Sequence, residues 1–232
     1  MTTTPKPLSL THLVRAAVPV VPGDTSAPPL LVVLHGVGSN ERDLLDLADY
    51  LDGRFFVISV RAPNALGPDT FGWYPVNWTA DGPVGDTQKA ETSRQAILRF
   101  LGEAAAAYGL DAARVFLMGF SQGAIMSLFV ALSQPDAVAG IVAMSGRLLP
   151  EAIAQKASDE SLRGLPVFAV HGTRDTVLPV SEGRTIRDEL SRLPVALSYR
   201  EYDMAHEVSA RSIADVAAWL TVRLGDAQRA KV

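Results

Sequence analysis

The chain carries two kinds of apolar pattern, and they alternate. Residues 30–34, 55–60, 115–118, 139–145 and 165–171 are unbroken or nearly unbroken apolar runs. Such runs are expected of strands buried on both faces of a parallel sheet. Between and after them, apolar residues recur at helical spacing, which predicts helices over 41–51, 86–108, 182–193 and 209–224. A further helix to about Ser133 is apolar nearly all round and should be buried. A short helix is expected near 150–158 and a last strand over 196–202. An apolar stretch over 13–18, with Pro19 and Pro22 close behind, reads as an edge strand, because proline does not suit a central one. Residues 61–85 carry Pro63, Pro68, Pro75 and Pro83 among glycines and read as one long irregular segment. The polar tail after Gly225 is expected to fray. Strand and helix alternating from end to end predict an α/β fold. Its sheet is mostly parallel and covered by helices on both faces, in one domain over 1–232 with no large cap.

Composition narrows this picture only a little. Of 232 residues, 48% are hydrophobic and 20% charged, and the net charge of −4 is spread along the chain. No basic face suggests nucleic acid. Cys is absent, which removes disulfides, thiolate metal sites and a cysteine nucleophile. Met1 to Leu10 hold no apolar run of secretory type, and no stretch has the roughly 18 apolar residues of a membrane span. The expectation is a cytoplasmic protein without stable membrane insertion; a homodimer is left open.

The chemistry starts at Gly119-Phe120-Ser121-Gln122-Gly123. This G-x-S-x-G lies between the apolar run 115–118 and a small-residue helix start, Ala124-Ile125-Met126. A serine at a sharp strand-to-helix turn needs strained backbone, and glycines two before and two after it let strand and helix pass closely. That is the nucleophile elbow of α/β-hydrolases. A serine hydroxyl is a weak nucleophile and needs a base. In this fold the chain order is serine, acid, histidine. Of His12, His35, His171 and His206, only His206 follows both Ser121 and a plausible acid. Asp175, just past the strand 165–171, is the preferred acid over Asp203, which lies too near His206 in one loop to orient its ring. His12, His35 and His171 are assigned structural jobs, the last two shaping loops at strand ends. For the oxyanion of an acyl-transfer intermediate, the backbone N–H of Gln122 supplies one donor. Val37, in the flexible Gly36-Val37-Gly38, is preferred for the other, with Gly38 as its neighbouring rival. Phe71, Trp73, Tyr74 and Trp78 crowd one loop past the strand 55–60. They read about equally as a local core or as an aromatic pocket wall, with Trp73, Tyr74 and Trp78 as candidate substrate-binding residues.

Taken together, Leu34-His35-Gly36-Val37-Gly38, Gly119-Phe120-Ser121-Gln122-Gly123-Ala124, His171-Gly172-Thr173-Arg174-Asp175 and His206-Glu207-Val208 resemble the phospholipase/carboxylesterase family of α/β-hydrolases. The resemblance runs from about residue 28 to 222. It implies Ser121, Asp175 and His206 as the triad, Val37 and Gln122 as oxyanion donors, and no cofactor or metal. Arg61-Ala62-Pro63 and Phe71-Gly72-Trp73-Tyr74-Pro75 are more similar to the bacterial esterase branch than to the thioesterases. Ala205 stands where the family usually has Gly. The implied activity is hydrolysis of small or medium carboxylic esters by a serine carboxylesterase. An acyl-protein thioesterase or lysophospholipase is the alternative in the same chemistry, and a catalytically silent binding protein the alternative in another class.

Overall fold

The apolar runs become strands of one sheet, and the helical repeats pack on its two faces. The computed structural model describes residues 5–19, 26–79 and 82–229. In chain order its strands are β1 (His12–Arg15), β2 (Pro29–Leu34), β3 (Phe56–Val60), β4 (Asn64–Gly67), β5 (Thr70–Gly72), β6 (Val76–Thr79), β7 (Gly82–Gly85), β8 (Asp111–Phe120), β9 (Gly140–Met144), β10 (Pro166–Gly172) and β11 (Ala196–Tyr202). The α-helices are α1 (Thr87–Tyr108), α2 (Gln122–Ser133), α3 (Pro150–Ala154), α4 (Asp159–Leu162), α5 (Val180–Leu190) and α6 (Ala210–Arg229).

The main sheet has seven strands in the order β1-β3-β2-β8-β9-β10-β11. Only β1, at one edge, runs antiparallel to its neighbour. Its central strands have no solvent face, which is why their sequences do not alternate. In β2, Leu30, Val32 and Leu34 enter the core shared with α1 and α2. Leu31 and Val33 enter the opposite core, shared with α6. Each such side chain, fully withdrawn from water, contributes about 1.5–3 kcal/mol. The helix α2 is buried along nearly its whole length, as its all-round apolar sequence requires.

Helix α1 has the ends its sequence predicts. The Asp86 side chain accepts a hydrogen bond from the Lys89 N–H at 3.0 Å, and Gly109 closes the helix at φ 65°. Four expectations need correcting. The helix predicted over 41–51 is a series of turns followed by a 3₁₀ helix, Leu45–Tyr50. Here the Asn40 side chain accepts from the Arg42 N–H, and the Glu41 carboxylate turns away to Arg61, so local bonds compete with an α-helical start. The segment 61–85 is not irregular but contains two antiparallel hairpins, β4–β5 and β6–β7. Strands this short, interrupted by Pro and Gly, leave no alternation to detect. Strand β8 starts at Asp111, ahead of the apolar run, and α6 continues through Gly225 to Arg229. Residues 20–25, with Pro22, and 230–232, the end of the expected tail, lie outside the described residues. No helix among the described residues is long and apolar enough to cross a membrane.

The strand order reverses between β2 and β8. From β2 the chain continues to β3 on one side, and from β8 to β9 on the other. Loops leaving the carboxyl ends of these two strands therefore diverge and open a crevice, the usual ligand position in an open α/β sheet. His35 to Ser39 leave β2 there, and Ser121 leaves β8.

Candidate active site

Ser121 sits in strained backbone, with φ 53° and ψ −118°. A non-glycine residue held at positive φ costs about 1–3 kcal/mol, so its surroundings must enforce it. A Cβ on Gly123 would lie 1.9 Å from the Leu34 carbonyl oxygen, and one on Gly119 would lie 2.2 Å from the Gly123 carbonyl carbon. Both glycines are thus required for helix α2 to start against β2 and β8. The Ser121 N–H donates to the Met144 carbonyl at 2.9 Å, tying the turn to β9.

Asp175 and His206 meet at the carboxyl ends of β10 and β11. The His206 Nδ1–H donates to Asp175 Oδ2 at 2.7 Å. The other carboxylate oxygen accepts the Val177 and Leu178 N–H groups, both at 2.9 Å, in an Asx-type turn that fixes its orientation. The Asp175 side chain has no exposure, whereas that of His206 has 16%. With Nδ1 donating, the imidazole keeps its Nε2 lone pair to accept a proton. The ring lies 4.8 Å from that of Phe120, the residue before Ser121, so it stands alongside the elbow. Asp203 is elsewhere: its side chain is 83% exposed and paired with Arg174. His171 lies beneath the acid loop, its Nε2–H donating to the Leu178 carbonyl at 2.8 Å and standing 3.6 Å from Asp175 Oδ2.

The loop after β2 is held from its far side. Gly38 N–H donates to Phe71 C=O and Phe71 N–H to Ser39 C=O, each at 2.8 Å. The Gly38 N–H is thereby committed, which favours Val37 over its rival as an oxyanion donor. Gly36 brings this loop against the nucleophile: a Cβ there would come within 3.3 Å of the Ser121 Cβ. His35 is a fixed part of the same loop. Its Nε2 accepts the Ala62 N–H at 3.0 Å, so Nδ1 carries the proton and donates to the Gly36 carbonyl at 2.7 Å. Burial pushes its pKa below the ordinary imidazole value and keeps it neutral. Outside it, Glu41 takes a two-pronged bond from Arg61, at 2.6 and 2.7 Å, and the Arg61 guanidinium lies 4.4 Å over the Phe71 ring.

Of the crowded aromatics whose side chains are described, Tyr74 lines a groove beside Ser121. This groove, open to solvent, is lined by Val37, Tyr74, Ser121, Ile125, Arg147 and Val177 among others. Trp73 is fully buried, and its indole N–H donates to the His35 carbonyl at 2.9 Å. It belongs to the core beneath the groove and does not line it. The Trp78 backbone lies in β6, but its side chain is outside the described residues. Among the described residues that line the groove, Tyr74 is the one aromatic, beside Arg147 and aliphatic side chains. Burial raises the pKa of the Tyr74 phenol, and Arg147, close to it, offsets part of that rise. Sequence reasoning missed Ile125, Arg147 and Val177. Ile125 was within reach, since it lies one helical turn after Ser121 and so faces the same way. Also missed was the Gln122 side chain, whose amide oxygen accepts the Trp73 N–H and whose amide N–H donates to the Tyr74 carbonyl, both at 2.7 Å.

A strained serine between two obligatory glycines, at a switch point of a parallel sheet, with an Asp–His pair on the loops of the later strands, defines the α/β-hydrolase class. The model of the phospholipase/carboxylesterase family matches residues 16–224, and the chain belongs to that family. Acyl-protein thioesterase 1 of Eremothecium gossypii is 28% identical over 213 residues, spanning 85% of this chain and 88% of the relative. The Neurospora crassa acyl-protein thioesterase 1 is 25% identical, over 93% and 95%. Among solved structures, esterase PE8 is 28% identical with a TM-score of 0.79, over 93% of this chain and 99% of that one. The Bacillus cereus carboxylesterase is 25% identical with a TM-score of 0.78, over 93% and 95%.

Proposed function

We propose that the chain is a serine esterase in which Ser121, His206 and Asp175 form the catalytic triad. The observation that carries this reading is the 2.7 Å bond from the His206 Nδ1–H to the enclosed Asp175 carboxylate, beside a serine in strained backbone. Ser121 Oγ attacks the ester carbonyl carbon while its proton passes to His206 Nε2. The carbonyl oxygen becomes an oxyanion and takes the N–H groups of Gln122, at the positive end of α2, and Val37. Collapse of the intermediate breaks the ester C–O bond, and His206 returns the proton to the departing alcohol. Water, deprotonated by His206, then attacks the acyl-serine, and the second collapse releases the carboxylic acid and restores Ser121. Asp175 keeps the proton on Nδ1 and balances the imidazolium charge throughout. The aliphatic side chains that line the groove suit an acyl group.

A thioester would pass through the same steps with a C–S bond in place of C–O. The thioesterases among the relatives favour this as the second reading. Fluorophosphonate labelling tests the shared chemistry: wild type should label at one serine and Ser121→Ala not at all. A panel of p-nitrophenyl esters of increasing chain length, set beside one acyl thioester, separates the two readings. Absence of label on Ser121 in folded wild-type protein overturns both.

A further inference from the structure

We propose that the Gln122 side chain is a positioning residue that sets the oxyanion loop, in addition to the donor its own peptide N–H supplies. The proposal rests on the oxyanion hole assigned above. Residues 71–74 form a strip between the nucleophile elbow and the loop after β2. At one end the strip is gripped by the Gln122 amide, through its paired bonds to the Trp73 N–H and the Tyr74 carbonyl. At the other end it holds residues 35–39, by the Gly38–Phe71 and Phe71–Ser39 backbone bonds and by the Trp73 indole N–H on the His35 carbonyl. Asn64 adds side-chain bonds to the Gly72 and Trp73 carbonyls at 3.1 and 2.9 Å, and Ser93 a further one to the Trp73 carbonyl. Val37 lies within the loop so held. Gln122 itself is 3% exposed.

The consequence is mechanical. The two oxyanion donors come from loops far apart in sequence, and an oxyanion hole works only when both point at one spot before charge develops. A buried amide with one acceptor and one donor, each matched to a peptide group of the strip, fixes the distance between elbow and loop as apolar contact would not. It also fixes the Tyr74 wall of the groove, since Tyr74 is bonded through its own carbonyl.

Gln122→Met keeps the length and the peptide N–H but removes both bonds. Gln122→Glu keeps the acceptor for the Trp73 N–H and sets an oxygen against the Tyr74 carbonyl. Turnover of p-nitrophenyl butyrate is measured per fluorophosphonate-titrated site, so unfolded protein is not counted. The expected result for Gln122→Met is a kcat lower by about 10²-fold, the scale of one lost oxyanion donor, with a much smaller change in KM. Affinity for an aryl trifluoromethyl ketone, which forms a tetrahedral adduct, should fall in parallel, and Gln122→Glu should lie between. Trp73→Phe, which removes the indole donor at the far end of the strip, should give the same signature, and the double variant should be less than additive. Should Gln122→Met not fold, Gln122→Glu and Trp73→Phe carry the test. A kcat per titrated site within threefold of wild type in the variants that fold, whatever their melting temperature, overturns the proposal. Wild-type protein that fails to label at Ser121 overturns instead the esterase reading on which it stands.

Discussion

Replacing Asp175 by Asn tests the triad through a change of one atom pair. In the wild type one carboxylate oxygen accepts two backbone N–H groups and the other accepts the His206 Nδ1–H. An asparagine in the same turn keeps its oxygen on the Val177 and Leu178 N–H groups, because its NH₂ cannot accept from them. Its NH₂ then faces His206 Nδ1, where two donors would clash, so the imidazole must move its proton to Nε2. The nitrogen that should accept the Ser121 proton becomes a donor. Removing the correct tautomer in this way costs on the order of 10⁴ in kcat at a triad acid, which corresponds to about 5.5 kcal/mol of barrier. Asp203→Asn is the matched control: its side chain is 83% exposed and its partner is Arg174, so turnover should stay within about twofold, as for a surface substitution of ±0.5 kcal/mol. The assay is p-nitrophenyl butyrate hydrolysis at saturating substrate, with thermal melting to show that both variants fold. An Asp175→Asn enzyme within tenfold of wild type, or equal losses at the two positions, would refute the assignment of the acid.

Ser121→Ala should reduce kcat by roughly 10⁴–10⁶-fold and leave the melting temperature unchanged or higher, because alanine is no worse in the turn; activity and melting curves on one preparation check both. Trp73→Ala, in contrast, should cost about 3–5 kcal/mol of stability, as expected for an emptied core site, and denaturant titration measures it. His35 is held neutral by burial, so its folded pKa is below the 6.5 of a free imidazole. Below that pH the unfolded chain takes up a proton that folded His35 does not, and stability should fall as pH drops. Melting temperatures from pH 7.5 to 5 should show the slope, and a folded His35→Asn variant should lessen it; an equal slope in the two would remove His35 as its source.

The meeting of His206 with Asp175 and the strained turn at Ser121 were legible because motif and fold order constrain them together. A base must follow an acid, and both must leave the ends of late strands. The choice of Asp175 over Asp203 also lay in the sequence, since Asp175 lies just past a buried strand and Asp203 lies too near His206 in one loop to orient its ring. The groove was not legible. Val37, Ile125, Arg147 and Val177 come from four separate parts of the chain, and no local pattern announces that they converge. Trp73 and Tyr74 show the converse. They are adjacent in sequence and both are buried, yet only Tyr74 of the two also lines the groove, so a cluster of aromatics carries no information about which of its members reaches a site. The 3₁₀ turn at Leu45–Tyr50 was hidden for another reason: its apolar spacing suits an α-helix, and only the side-chain bonds of Asn40 and Glu41 decide against one.

Because β2 lies beside β8, the crevice that holds Ser121 can form only by long-range closure. Leu34 pairs with Gly119, and β3, both hairpins and α1 are strung out between them. The entropy of closing such a loop must be overcome before the parallel pairing rewards it. Helices such as α1 can gain structure from local contacts while Ser121 is still far from the loop after β2. A nascent chain that has not yet delivered β8 has neither the serine nor the neighbour that covers β2. During refolding, ester turnover should therefore lag the recovery of helical signal and track the union of the two halves of the sheet.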